Sequence, residues 1–171
     1  MATRRAWLIL STVAAAATVV VATTGCGFAL RRAPELYFRT VQLTGFAPRS
    51  PLAELLTASI NASQTTLVVD AASKPQVVFE ALNDTRERSV VASTAAAEVR
   101  ELQLRSRLKF RLRTAGGREL IEPTEILLSR DMSYREGAAL GKEQEEAILF
   151  RAMQADIVAQ VMRRLAAVKS I

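Results

Sequence analysis

Histidine is absent from the 171 residues of this chain, and cysteine occurs once, as Cys26. Because histidine is the commonest general base and the commonest side-chain ligand of metals, its absence removes the usual centre of acid–base and metal-dependent catalysis. A single cysteine excludes a disulfide within the chain. The sequence also has no Ser-His-Asp set, no HExxH motif and no glycine-rich phosphate loop. These absences predict no catalytic residue, no metal and no cofactor, and they favour a protein that binds partners over an enzyme.

The first 26 residues have the organisation of a secretory signal peptide. Arg4 and Arg5 are followed by 16 uncharged, mostly apolar residues at 6–21 and then by small residues up to Cys26. The apolar segment is short for a spanning helix, which needs about 20 residues, although an uncleaved anchor that spans with tilt is an open alternative. The chain is therefore expected to divide into a lipoprotein signal peptide (1–25), a lipidated tether (26–36) and a single α+β domain (37–168).

The segment around Cys26 resembles a lipobox, in which the cysteine thiol receives diacylglycerol before the signal peptide is cut. Thr23 stands where the lipobox usually has leucine. Bacterial lipoproteins carry about three acyl chains on this cysteine, more than the two signals that stable anchoring needs. Gly27, rather than aspartate, follows the cysteine. By resemblance to the usual sorting rule, this predicts a lipid-anchored protein of the outer membrane that is exposed to the periplasm.

The mature chain expected from this division is one domain in length and moderately basic. Removing Arg4 and Arg5 lowers the number of Lys and Arg residues from 23 to 21, against 17 Asp and Glu, which leaves a net charge of +4. This charge suits an anionic partner without identifying one.

Two helices are predicted from apolar residues at helical spacing. Ser50 before Pro51 is typical of an N-cap followed by proline at the first helical position, which predicts a helix over 51–62. The second helix is predicted over 142–168. Acidic residues occupy its expected first turn and basic residues its last turn, as the helix dipole favours.

Alternation of apolar and polar residues predicts the strands. One long strand with a bulge near Asn83 is predicted over 77–91, with a hairpin turn at that point as the alternative. Pro123 is typical of an unpaired or edge position in the last strand. Further strands are predicted over 37–44, 102–113 and 119–134, the last two joined by a glycine-containing hairpin at 115–118, and residues 65–69 are compatible with another short strand.

Each predicted strand has one apolar face, and each predicted helix has one apolar stripe. Two layers are the simplest arrangement that buries all of these surfaces. We therefore predict an α+β fold, a two-layer sandwich in which a mostly antiparallel or mixed four-stranded sheet has two helices packed on one face. The other face of the sheet is then exposed.

That exposed face is predicted to carry a row of cations, here called the basic stripe: Arg105, Arg107, Lys109, Arg111 and Arg113. Alternate side chains on a strand stand about 7 Å apart, so the five extend over about 27 Å. Like charges at this spacing repel one another unless an anion or neighbouring carboxylates offset them. The candidate carboxylates are Glu80, Glu87, Glu119 and Glu125.

The basic stripe has two interpretations. It is either an ordinary solvated sheet face, or a surface that meets anionic headgroups or an acidic protein wall. Nucleic acid is not expected as a partner, because the domain is expected to be exported and the stripe has no aromatic residues on which bases could stack.

Several short motifs are distributed along the mature chain: GCGFALR at 25–31, AEV at 97–99, RDMSY at 130–134, ALGKEQE at 139–145 and RL at 164–165. Together with the alternating strand, they resemble the lipopolysaccharide-assembly lipoprotein family LptE. Met132 replaces one member of an aromatic pair that is usual in the family, and Ala29 stands where the family commonly has histidine.

The resemblance implies a sheet with two helices on one side, in agreement with the predicted layers. It also implies a lipoprotein that sits as a plug inside the large outer-membrane barrel LptD and assists its assembly. Such a protein binds lipopolysaccharide and, with the barrel, places it in the outer leaflet. The alternative is a periplasm-facing structural or adaptor lipoprotein with a different envelope partner.

The resemblance also points to individual residues. Lys142 matches a family position that faces the lipid, with an ordinary lysine at the start of a helix as the alternative, and Arg118 and Arg130 are weaker candidates for the same contact. Arginine binds phosphate bidentately, so lipid A phosphates are candidate ligands of the basic stripe. A polar barrel lumen offers carboxylates instead, and the sequence leaves both ligands open.

Overall fold

The computed structural model describes residues 34–93, 98–135, 137 and 139–171. The expected signal peptide and most of the tether, including Cys26, lie outside these residues. The elements in chain order are β1 (Thr40–Thr44), α1 (Pro51–Asn61), β2 (Leu67–Val68), a 3-10 turn (Ala71–Ser73), β3 (Val77–Ser93), β4 (Val99–Thr114), β5 (Glu119–Ser133) and α2 (Ala139–Ala167).

The strands form one mixed sheet in the order β2-β1-β3-β4-β5. β1 runs parallel to both β2 and β3, whereas β3, β4 and β5 form an antiparallel meander. The predicted α+β class is confirmed, although the sheet has five strands instead of four, because Leu67 pairs with Thr40 and adds β2 at the edge. β5 is the opposite edge, which is where Pro123 can be accommodated.

β3 is one continuous strand of 17 residues. Its register with β4 shifts between Ala81 and Asn83, and pairing then continues to Ser93 with two further shifts after Val90. The predicted bulge is therefore confirmed, and the hairpin alternative is wrong. Gly45, directly after β1, has a φ of 81°. A β-carbon on Gly45 would lie 2.0 Å from the carbonyl oxygen of Ala81. The chain leaving β1 therefore passes directly against the bulged backbone of β3.

Both helices cover the same face of the sheet. The alternate residues of β4 on this face, from Leu102 to Leu112, are buried, and they join apolar residues of α1 and α2 in the core. At the centre of the main cluster the rings of Phe79 and Phe110 stack with their centroids 4.9 Å apart. A smaller cluster lies beyond it, towards the end of β3 and the start of β4: Leu102, Leu104, Met132, Phe150 and Met153.

The helix starts are held by different means. Ser50 is the N-cap of α1, as predicted, and its Oγ accepts a hydrogen bond from the backbone N of Ala53 at 3.2 Å while donating to Asp84 Oδ2 at 2.7 Å. α2 begins at Ala139, three residues before the predicted start, and no acidic residue lies in its first turn. The predicted placement of glutamates in that first turn is therefore wrong, since Glu143 falls in the second turn.

Candidate partner-binding surface

The basic stripe lies on the sheet face opposite the helices, because its residues alternate along β4 with the buried ones. The side chains of Arg105 and Lys109 are exposed, and the other three cations of the stripe are half-buried among neighbouring strands. Whether an anion offsets this row of like charges depends on the residues that β3 and β5 place beside it.

At the hairpin end of the stripe, carboxylates from both neighbouring strands neutralise the cations. Arg111 Nη2 lies 2.8 Å from Glu80 Oε2 on β3, and Arg111 Nη1 lies 3.5 Å from Glu119 Oε1 on β5. Arg113 Nε lies 3.5 Å from the same oxygen of Glu80. Two of the predicted carboxylates therefore offset this end of the stripe from within the protein.

Further along β4 the pairing is weaker. Arg107 lies 3.5 Å from Glu125, whereas Lys109 has no carboxylate within 4.0 Å among the described residues. Glu87 faces Arg105 across the ladder without an ion pair between them. Arg105 Nε instead donates to Gln103 Oε1 at 2.7 Å. The cations left for an outside partner are thus Arg105 and Lys109.

Lys142 lies near the start of α2 and is already engaged. Its Nζ donates to Glu145 Oε2 at 2.7 Å and to Ser133 Oγ at 3.2 Å, and its side chain is only 18% exposed. These contacts tie the first turns of the helix to the end of β5. A lipid phosphate at this position would have to exchange with Glu145.

The other two candidate lipid contacts do not join Lys142 in one site. Arg118 lies in the β4–β5 hairpin, and Ser133, the neighbour of Lys142, lies at the other end of β5. These ends are about 46 Å apart at the usual rise of a strand. Arg130 faces the helix side, opposite Leu104, with its Nη2 3.5 Å from Asp156 of α2. One ligand headgroup therefore cannot contact all three.

A groove of about 800 Å³ between β3 and α2 is a feature that the sequence did not reveal. Arg86 lies over the ring of Phe150, 5.7 Å from its centroid, and Arg88 forms a 3.3 Å ion pair with Glu146. Beyond the bulge the helix-facing positions of β3 change from odd to even residue numbers, and they become charged, as at Arg86 and Arg88. Charged residues at these positions, once the bulge is taken into account, are the signal that could have indicated the groove.

Within the described part of the chain, no helix combines the length and the apolar character that crossing a membrane requires. The described residues also contain no group of three or more side chains placed to bind a metal ion.

A comparison with models of protein families identifies the family of this chain. The family model LptE, described as lipopolysaccharide-assembly, matches residues 38–165, which extend from before β1 to the last turn of α2. No curated protein matches the chain significantly.

Solved structures of bacterial lipoproteins have a similar fold. An uncharacterized lipoprotein B from Nitrosomonas europaea is 32% identical with a TM-score of 0.68, over 82% of this chain and 91% of that chain. The rare lipoprotein B from Shewanella oneidensis is 22% identical with a TM-score of 0.63, over 75% and 95% of the two chains. A minor lipoprotein from Acinetobacter baumannii is also 22% identical with a TM-score of 0.63, over 77% and 93%.

Proposed function

The chain belongs to the LptE family of lipopolysaccharide-assembly lipoproteins, and on this basis we propose that it forms a complex with an LptD-type β-barrel in the outer membrane. It acts there as a plug, assists assembly of the barrel, and takes part in inserting lipopolysaccharide into the outer leaflet, with lipopolysaccharide binding as part of that role. The observation that carries the proposal is the family match over every helix and strand of the domain.

The outer face of the sheet supports a position inside a barrel. Barrel interiors are polar, and a plug needs a surface of mixed charge more than an apolar one. The basic stripe with its interleaved glutamates is such a surface, and its length of about 27 Å is close to the height of a barrel's membrane band. Arg105 and Lys109, which have no carboxylate within 4.0 Å in the part of the chain that the structure describes, are the residues most available to acidic groups of the barrel wall.

Lys142 is the candidate lipid contact on a different part of the domain. Its ammonium group already has one carboxylate and one hydroxyl partner, so it is held in place before any ligand arrives. A lipid A phosphate would replace Glu145 with a group of greater negative charge. Arg130, whose Nη2 already lies near Asp156, is a second such exchange site.

Affinity purification tests the complex directly. We expect that the lipidated full chain, tagged at its C-terminus and extracted from its own cell envelope in mild detergent, co-purifies with a large outer-membrane β-barrel. Depleting the chain should lower both the folded barrel and the lipopolysaccharide at the cell surface. Recovery of the chain alone, with surface lipopolysaccharide unchanged on depletion, would favour an adaptor with another envelope partner.

Charge reversal tests the role of the basic stripe. We expect Arg105→Glu with Lys109→Glu to lower recovery of the barrel in detergent at least tenfold, because close charge pairs at interfaces contribute 1.5 kcal/mol or more. The fold should survive, since neither residue forms an ion pair with any other described residue. The matched control, Arg39→Glu with Lys74→Glu, makes the same charge change elsewhere and should retain the barrel. Unfolding of the first variant would instead assign these residues a structural role.

A further inference from the structure

One end of the domain carries a group of exposed cations, here called the basic end: Arg39, Lys74, Arg118 and Lys169. Three of the segments that carry them meet at Gln76. Gln76 Oε1 accepts a hydrogen bond from the backbone N of Arg39 at 2.7 Å, and the carbonyl oxygen of Gln76 accepts one from the backbone N of Ala115 in the β4–β5 hairpin at 3.0 Å. Lys74 precedes Gln76 by two residues. The cations are thus brought together by the fold from distant parts of the sequence.

An aromatic ring and a leucine lie among these cations. Lys169 Nζ is 4.8 Å from the ring centroid of Tyr37 and 3.4 Å from its hydroxyl oxygen. Tyr37 is 55% exposed and Leu67, paired with Thr40 at the start of β1, is 60% exposed. Basic residues together with tyrosine and a few exposed apolar side chains are the composition that membrane–water interfaces favour.

The basic end differs from the basic stripe because its cations form no ion pairs with described residues of the protein. Among the described residues, none of its four cations has a carboxylate within 4.0 Å. Asp70, beside it, accepts hydrogen bonds from the N and Oγ of Ser73 at 3.0 and 2.8 Å, which hold the pKa of its carboxyl below the usual value. Glu119 is 3.5 Å from Arg111. Within the described part of the chain, the four cations of the basic end therefore form no ion pair and are open to an outside anion.

The first described residues, 34–39, lead into β1 at the same end. Cys26 precedes Pro34, the first described residue, by eight positions, and a fully extended chain of that length spans at most about 28 Å. An acylated Cys26 therefore keeps the first residues of the domain near the bilayer surface. β1 starts only six residues after Pro34, with Arg39 directly before it.

We propose that the basic end is a second membrane contact, which docks on the anionic phospholipid headgroups around the acyl chains of Cys26. The proposal rests on the proposed anchoring at Cys26 for its orientation, and it is independent of the barrel complex. Lys and Arg side chains near an anionic bilayer each strengthen binding, and the effect extends over about one Debye length, 8–10 Å.

Vesicle sedimentation tests this contact without the acyl chains. Both hydrophobic clusters lie within residues 34–171, so the chain from 27 to 171 contains the whole core and has no thiol to acylate. We expect this chain to bind phosphatidylcholine vesicles containing about 30% phosphatidylglycerol at least tenfold more tightly than neutral ones. Raising the salt to about 0.5 M should abolish the difference, because the charges are exposed.

A triple substitution locates the contact. Lys74→Gln, Arg118→Gln and Lys169→Gln together should weaken binding to the anionic vesicles about a hundredfold, at about fivefold for each charge. The matched control removes three charges from the basic stripe, Arg105→Gln, Arg107→Gln and Lys109→Gln, and should weaken binding less than about fivefold. Circular dichroism melts should show both variants folded, since the substituted residues lie on the surface.

Two results would overturn the proposal. The first is equal binding of the unsubstituted chain to neutral and anionic vesicles. The second is equal weakening by the two triple substitutions, because binding would then follow net charge and not the basic end. Neither result bears on purification of the barrel in detergent, where no bilayer is present, so failure of this proposal and failure of the proposed complex are separable.

Discussion

Replacing Gly45 by alanine is expected to lower the free energy of unfolding by about 2–5 kcal/mol. Glycine is the residue that adopts positive φ without cost, and an L residue in the left-handed region loses about 1–2 kcal/mol. The alanine β-carbon would also lie 2.0 Å from the carbonyl oxygen of Ala81, which is backbone and cannot rotate away. Overpacking of this kind costs a further 1–3 kcal/mol. Urea unfolding followed by circular dichroism measures the loss.

Gly117 is the matched control for this substitution. It also has a positive φ, 91°, but a β-carbon there would have no heavy atom within 4 Å. Gly117→Ala should therefore lower the free energy of unfolding only by the cost of the left-handed backbone conformation, about 1–2 kcal/mol. If the two alanine variants were equally stable, the close approach of the β1–α1 connection to the bulge in β3 would not be a constraint on the fold.

Phe79→Ala is expected to lower the free energy of unfolding by about 4 kcal/mol. The ring is fully buried and stacks on Phe110 at 4.9 Å and on Phe46 at 6.0 Å between centroids. Truncating a buried phenylalanine typically loses 3–5 kcal/mol, because the cavity left behind collapses only in part. With total stabilities of 5–15 kcal/mol, a loss of this size should be visible as a large drop in Tm.

Leu127→Ala provides the comparison for Phe79→Ala. Leu127 is 47% exposed on the outer face of β5, so its truncation should change stability by no more than about 0.5 kcal/mol. Differential scanning calorimetry of the three proteins would show the contrast. Similar melting temperatures for the Phe79 variant and the unsubstituted chain would mean that the phenylalanine stack is not the centre of the core.

The sequence was sufficient to predict those helices and strands that are marked by a periodic pattern or by a capping residue of their own. β4 alternates over a dozen residues, and Ser50 with Pro51 defines the start of α1 through one side chain and one ring. β2 has two residues, which is too short for any periodicity, and it exists because β1 offers it a parallel partner. The early start of α2 includes Gly141, which disfavours a helix locally, while contacts such as Lys142 with Ser133 hold the helix to β5.

The candidate site was predictable only as far as the face of the sheet. Alternation along β4 places the basic stripe away from the apolar side, whatever the neighbouring strands are. Which carboxylate meets which cation depends on the cross-strand register, and the bulge after Ala81 shifts that register within β3. Glu80, before the bulge, pairs with Arg111, and Glu87, after it, forms no ion pair with Arg105. Predicting the distance between Arg118 and Lys142 likewise requires knowing how far β5 extends.

The hydrophobic core is divided unequally, and this affects which end of the domain unfolds locally. One cluster contains 18 buried residues and adjoins the basic end, whereas the other has five and lies beneath the middle of α2. Regions with little apolar burial open at lower free energy than the whole domain. The end of the domain where β1 starts is therefore expected to resist local opening more than the end where β3 finishes and β4 begins.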